Sequence, residues 1–178
     1  MTERPLPKNL TKTALTDIES TDVEGVGRVV KDHYGRYYRW VKNRNATAFT
    51  AGQPVCYDVT NAGSDAIHKS VNSPVTADLM MNAGIAMTAI AASGGNCYGW
   101  IMIHGYYKDA RVLEPTTAAI VVGEELIAVN AKTYLFSATA PGTAPIYSNH
   151  FIAMETLITE TAGGATSTTR DVFVKCLF

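Results

Sequence analysis

The chain of 178 residues is short of charge: Asp, Glu, Lys and Arg make up 17% of it, and the formal net charge is -1. A typical globular chain carries roughly 25% charged residues. The missing basic excess excludes a strongly cationic nucleic-acid coat. Hydrophobic residues reach 47%, which excludes a wholly disordered chain. Long hydrophobic runs are also missing. None reaches the length of about 18 residues that a membrane-spanning helix needs. The opening Met1-Thr-Glu-Arg-Pro-Leu-Pro-Lys contains no apolar core of a secretory signal. Cysteine is scarce and odd in number. Cys56, Cys97 and Cys176 are far apart with no CxxC pair, so free, buried thiols in a reducing compartment are expected.

Familiar catalytic patterns are absent too. The chain has no phosphate-binding G-x-x-x-x-G-K-[ST], no H-E-x-x-H and no G-x-S-x-G. Gly94-Gly95-Asn-Cys-Tyr-Gly99 lacks the lysine and opens a strand, so it reads as a turn. The histidines His33, His68, His104 and His150 are widely separated. Cys56, Asp58 and His68 are the nearest approach to a nucleophile, base and orienting acid. Glu124-Glu125 reads as a solvated turn. These patterns predict no enzyme, no cofactor and no metal site.

What the chain does contain is small residues. Ala (23), Thr (21) and Gly (14) supply about a third of it. The charge is also split: residues 1–45 hold nine Lys/Arg and six Asp/Glu, residues 46–178 six and ten, giving +3 and -4. Residues 1–26 carry Pro5, Pro7 and isolated aliphatics (Leu6, Leu10, Leu15, Ile18, Val23) with neither helical nor strand period. They read as an extended N-terminal arm, able to order on a neighbouring subunit.

From residue 27 onward the text is short strands between turn signals, which predicts one all-β domain over 27–178, a small barrel or a sandwich. Expected strands include Gly27–Lys31, Arg36–Lys42, Pro54–Val59, Asn82–Ala92, Cys97–Tyr106, Ala118–Val122, Glu125–Val129, Lys132–Phe136, Phe151–Ile158 and Asp171–Phe178. Thr60–Pro74, Ala140–Pro145 and Thr161–Thr169 are expected loops. Ser93-Gly-Gly-Asn96 marks a hairpin. Alternation sends Tyr98, Trp100, Met102 and His104 to one face of its second strand, and Cys97, Ile101 and Ile103 to the other. Both faces are apolar, so that strand is expected to pack on both sides.

One stretch resembles a binding patch. Residues 28–44 contain six Lys/Arg and one Asp among aromatics. Alternation sends Tyr34, Arg36, Tyr38, Trp40, Lys42 and Arg44 one way. Such a strand can stack bases, although the near-neutral balance makes nucleic acid an unlikely partner. Tyr, Trp and Arg also concentrate protein–protein interface energy, and that reading is preferred. The candidate interface residues are Pro5, Leu6, Leu10, Leu15 and Ile18 of the arm, with Arg36, Tyr38, Trp40 and Arg44.

Taken in order, Gly35-Arg-Tyr-Tyr-Arg-Trp-Val-Lys-Asn, Phe49-Thr-Ala-Gly-Gln-Pro-Val with Tyr57-Asp58, Ala83-Gly-Ile-Ala-Met-Thr-Ala-Ile-Ala, Tyr98-Gly-Trp-Ile-Met-Ile-His-Gly, Val122-Gly-Glu-Glu-Leu and Val172-Phe-Val-Lys-Cys-Leu resemble the decoration (cement) proteins of tailed-bacteriophage heads. The resemblance spans about residues 27–178. It implies a β-tulip-like or barrel domain without an active site. It implies a homotrimer bound to the major capsid protein on the outer head surface, stabilising the head, in a virion made in the host bacterial cytoplasm. A tail or baseplate module is the alternative within this class. A ligand-binding or thiol-dependent barrel centred on Cys56, Asp58 and His68 is the alternative outside it.

Overall fold

A computed structural model describes residues 11–59, 69–74, 81–113, 119–138, 151–156 and 167–176. Among these residues every regular element is a strand. In chain order they are β1 (Ile18–Glu19), β2 (Val29–Lys31), β3 (Tyr37–Asn43), β4 (Pro54–Tyr57), β5 (Ser70–Asn72), β6 (Asn82–Ala86), β7 (Tyr98–Leu113), β8 (Glu125–Ala128), β9 (Leu135–Ser137), β10 (Phe151–Ala153) and β11 (Ser167–Lys175).

The expected strand from Cys97 runs on to Leu113. Glycine at 105, with φ 114°, lets the backbone bend without ending. Two strands arise where loops were expected. β5 lies at the end of the polar stretch 60–74, and β11 begins inside the stretch 161–169. Of the strand expected at Ala118–Val122, residues 119–122 show a single bridge at Ile120, Ala118 lying outside the described residues, and the strand from Asn82 ends at Ala86. The loop expected at 140–145 lies outside the described residues.

Pairing is mixed: β3–β5 and β7–β9 are parallel, the other pairs antiparallel. Strand neighbours form two closed circuits. One runs β7–β6–β4–β5–β3 and returns to β7; the other runs β7–β9–β8–β10–β11 and returns to β7. β7 belongs to both. Its residues 98–104 pair with β3 and its residues 104–113 with β11.

The sequence alternation appears as two cores. Tyr38, Trp40, Trp100 and Met102 join Val112, Leu126, Phe151 and Val172 in one. Val41, Val55, Tyr57, Ile101 and Ile103 join Phe49, Val71 and Ile90 in the other. Each large buried side chain removes apolar surface worth about 1.5–3 kcal/mol from water.

The segment read as an arm is packed on this domain from Thr11 to Val26. Pro5, Leu6 and Leu10 lie outside the described residues. Leu15, Val23 and Val26 sit against the first core, Ile18 against the second, and β1 pairs with β7 through Ile18–Gly99. Thr13 Oγ1 accepts from the Trp100 indole N–H at 3.0 Å, and Asp22 Oδ1 accepts from the Trp40 indole N–H at 3.0 Å. The buried Glu24 carboxylate accepts from the Thr13 N–H at 2.7 Å and the Arg28 guanidinium at 2.6 Å. Outside β1 the strap's backbone donors are met largely by carboxylates: Glu24 accepts from Thr13, Asp17 from Ala14, and Asp22 from Gly25 and Val26.

Candidate functional site

The stretch 28–44 separates into a buried part and an exposed part. Tyr38 and Trp40, expected on a contact surface, are fully buried. Trp40 packs edge-on to Trp100, with ring centroids 5.2 Å apart. The alternation holds, with Tyr38 and Trp40 on one face and Val41 on the other, but that face is covered rather than exposed. The 11–26 strap lies over the face that Tyr38 and Trp40 share, and the β3–β7 register shift between Tyr37 and Tyr38 leaves that facing unchanged. Two of the rings on which a base would stack are therefore inaccessible. Leu15 and Ile18 are likewise engaged within the chain. Arg44 is partly exposed and lies 3.8 Å from the buried Asp58 carboxylate. Arg39 is buried and donates to the Tyr57 hydroxyl. Burial pushes the Tyr57 phenol up to about 12, against the opposing pull of the Arg39 charge.

Arg36 stays at the surface side, organised by Asp32. This nearly buried carboxylate accepts from the Tyr34 N–H (2.9 Å), the Arg36 N–H (2.9 Å), the Arg36 Nε (2.6 Å) and the Tyr38 hydroxyl (3.2 Å). Burial alone would raise its pKa. The Arg36 bonds and charge, helped by Tyr38, outweigh burial and hold the pKa below 3.8. The Arg36 guanidinium then lies over the Tyr34 ring, 5.2 Å from its centroid.

Beside this turn opens a groove of about 750 Å³, lined by Tyr34, Arg36, Met87, β7 residues His104 to Asp109, and Phe173. It lies at the bend where β7 passes from β3 to β11. A Cβ on Gly105 would stand 2.8 Å from Arg36 Cγ, so glycine is what lets the arginine cross the strand. His104 packs edge-on to Tyr37 (5.7 Å) and Phe173 (5.2 Å). Tyr106 donates its hydroxyl to the Asp171 carboxylate. That bond, aided by burial and neighbouring carboxylates, pushes its phenol up to about 12. Rings and a mixed-charge rim line the groove, the mixture of apolar and polar groups usual for a small-molecule site. Arg36 stands out in the sequence as a candidate contact residue, whereas Tyr106, Lys108 and Phe173 do not. Gly105-Tyr-Tyr, a glycine followed by adjacent aromatics, was the available signal.

The thiols are buried and unbridged. Burial, then the neighbouring Cys56, pushes the Cys176 thiol well up, away from the thiolate a nucleophile needs. The Cys56 Sγ lies 3.4 Å from Asn82 Oδ1. His68 lies outside the described residues. Among the described residues no three His, Cys, Asp or Glu gather to hold a metal, and no helix is long and apolar enough to cross a membrane.

A second exposed feature is aliphatic. Val121, Val122 and Met154 are 55%, 59% and 42% exposed. The Gly123 N–H donates to the Ala153 carbonyl at 2.8 Å, which sets the Val121–Glu124 turn alongside β10 and Met154. The Glu124 carboxylate braces that turn by accepting from the Val121 N–H at 3.0 Å. No protein-family model and no curated protein matches the chain.

Proposed function

We propose that this chain is a structural protein of a tailed-bacteriophage head, a decoration protein bound to the outer surface of the major capsid protein lattice. The observation that carries the reading is the braced aliphatic cluster of Val121, Val122 and Met154. Two exposed apolar side chains on an ordered turn, with Met154 at the end of the strand bonded to that turn, suit a protein partner, because covering them releases water from apolar surface. The sequence resemblance directs that partner to the capsid. In this reading the two strand circuits are small barrels fused along β7. The chain assembles as a homotrimer, and a repeating lattice multiplies contacts that are weak singly.

The test is co-sedimentation with heads purified without this protein, alongside the sedimentation velocity of the free chain. Saturable binding in a fixed ratio to capsid subunits is expected. Val122→Asp should weaken it by tenfold or more, since burying an unpaired charge costs at least about 1.4 kcal/mol. A chain that never sediments with heads, or a Val122→Asp variant that binds them equally well, would overturn the reading.

A further inference from the structure

We propose that the groove at the Gly105 bend binds a neutral saccharide chain. Tyr34 is 60% exposed and Tyr106 is 42% exposed, and both line the groove. Exposed tyrosines are common, but these two are held in place. The Arg36 guanidinium, itself fixed by Asp32, lies against the Tyr34 ring. The Asp171 carboxylate ties down the Tyr106 hydroxyl. A ring held in position at the surface loses little entropy on binding.

The rim sets the chemistry. Lys108 can donate and Asp109 can accept, and both are exposed beside the rings. A pyranose matches this pair of features. One of its faces is C–H, which an aromatic face can desolvate, and its edge carries hydroxyls that both donate and accept. The charge balance selects a neutral ligand over a polyanion. Arg36 is bonded to Asp32, and Lys108 and Asp109 add one charge of each sign to the lining, so no cationic array lines the groove among the described residues. The half-open shape suits a chain that enters and leaves, and the volume of about 750 Å³ takes a few sugar rings.

The test is a titration of the full chain, followed by amide NMR, with maltohexaose, chitohexaose and laminarihexaose. Sodium phosphate, an oligothymidylate and an acidic peptide serve as the competing chemistries. At least one saccharide should shift the signals of residues 34–36, 104–109 and 173, with a dissociation constant at or below about 1 mM. Tyr34→Ala and Tyr106→Ala should each weaken that binding about tenfold. Both side chains are exposed, and an unchanged near-UV tryptophan spectrum verifies the fold. No response to any saccharide at about 10 mM, shifts that survive Tyr34→Ala, or a stronger response at these residues to phosphate, oligonucleotide or peptide would overturn the proposal. The titration contains no capsid, so its outcome is independent of head binding.

Discussion

The two halves of β7 differ although one strand carries both. From Gly99 to Ile103 every residue is buried, with Trp100 and Met102 in one core and Ile101 and Ile103 in the other. From Gly105 on, burial alternates or lapses: Ala110 and Val112 reach the core, while Tyr106, Lys108 and Asp109 are exposed. Both halves are paired on one edge, to β3 and then to β11, but the first half also pairs with β6 and β1, and the second only with β9 at Val112. The first half is also covered by the strap, whose Thr13 and Asp22 hold the two indoles. The second half has the groove instead. A strand's exposure is thus set by what lies over its faces and beside its edges, and here the strap with its β1 and the neighbouring β6 make the difference.

Removing the strap should erase that contrast, and it is the largest expected effect. Deleting residues 1–24 takes away the partners of both indoles and the contacts of Leu15 and Val23. A loss on the order of 5 kcal/mol is expected, comparable to the whole stability of many domains. Urea unfolding followed by tryptophan emission reads it; an unchanged midpoint would show that the strap is dispensable.

Glycine substitutions separate the halves next. A Cβ on Gly84 would stand 2.1 Å from the Met102 carbonyl oxygen, where only backbone movement relieves the clash. Gly84→Ala should therefore cost about 3 kcal/mol. At Gly105 the nearest atom is the Arg36 side chain, so Gly105→Ala should cost about 1–2 kcal/mol and displace Arg36 from Asp32. Equal costs, measured by chemical denaturation, would contradict a doubly packed first half.

The smallest effect concerns acid. The folded-state pKa of Asp32 lies below its ordinary value of 3.8. Its stabilisation is therefore complete above about pH 4 and is lost as pH falls through the lower, folded value. Asp32→Asn, which keeps an acceptor oxygen for the Tyr34 and Arg36 N–H groups, should cost about 1 kcal/mol at pH 7. The variant should also lack this share of the acid-side decline, as thermal melts between pH 2 and 7 would reveal. A melting curve whose pH dependence matches the parent would remove Asp32 from the account.

Much of the β character was legible because alternation and turn residues are local. The two faces of residues 98–104 and the burial of all three cysteines follow directly from side-chain pattern. β5 was not legible. Ser70-Val-Asn72 is polar text, and it forms a strand because Cys56 and Tyr57 offer it an edge far away in sequence. The shared face of Tyr38 and Trp40 was legible, but its burial was not, because the covering strap is a tertiary fact. The groove was half legible. Arg36 and the aromatics stand out locally, but only the fold brings Phe173 across to Tyr34.

Sharing β7 between two circuits also imposes an order on folding. All strands of the first circuit lie within residues 37–113, so that ring can close while the rest of the chain is still being made. The second ring waits for β11, which pairs with β7 from Ser167 onward. Until it arrives, residues 105–113 offer an open edge, a template for pairing with other chains. Lys108 and Arg111 on that edge put charge where such off-pathway pairing would begin.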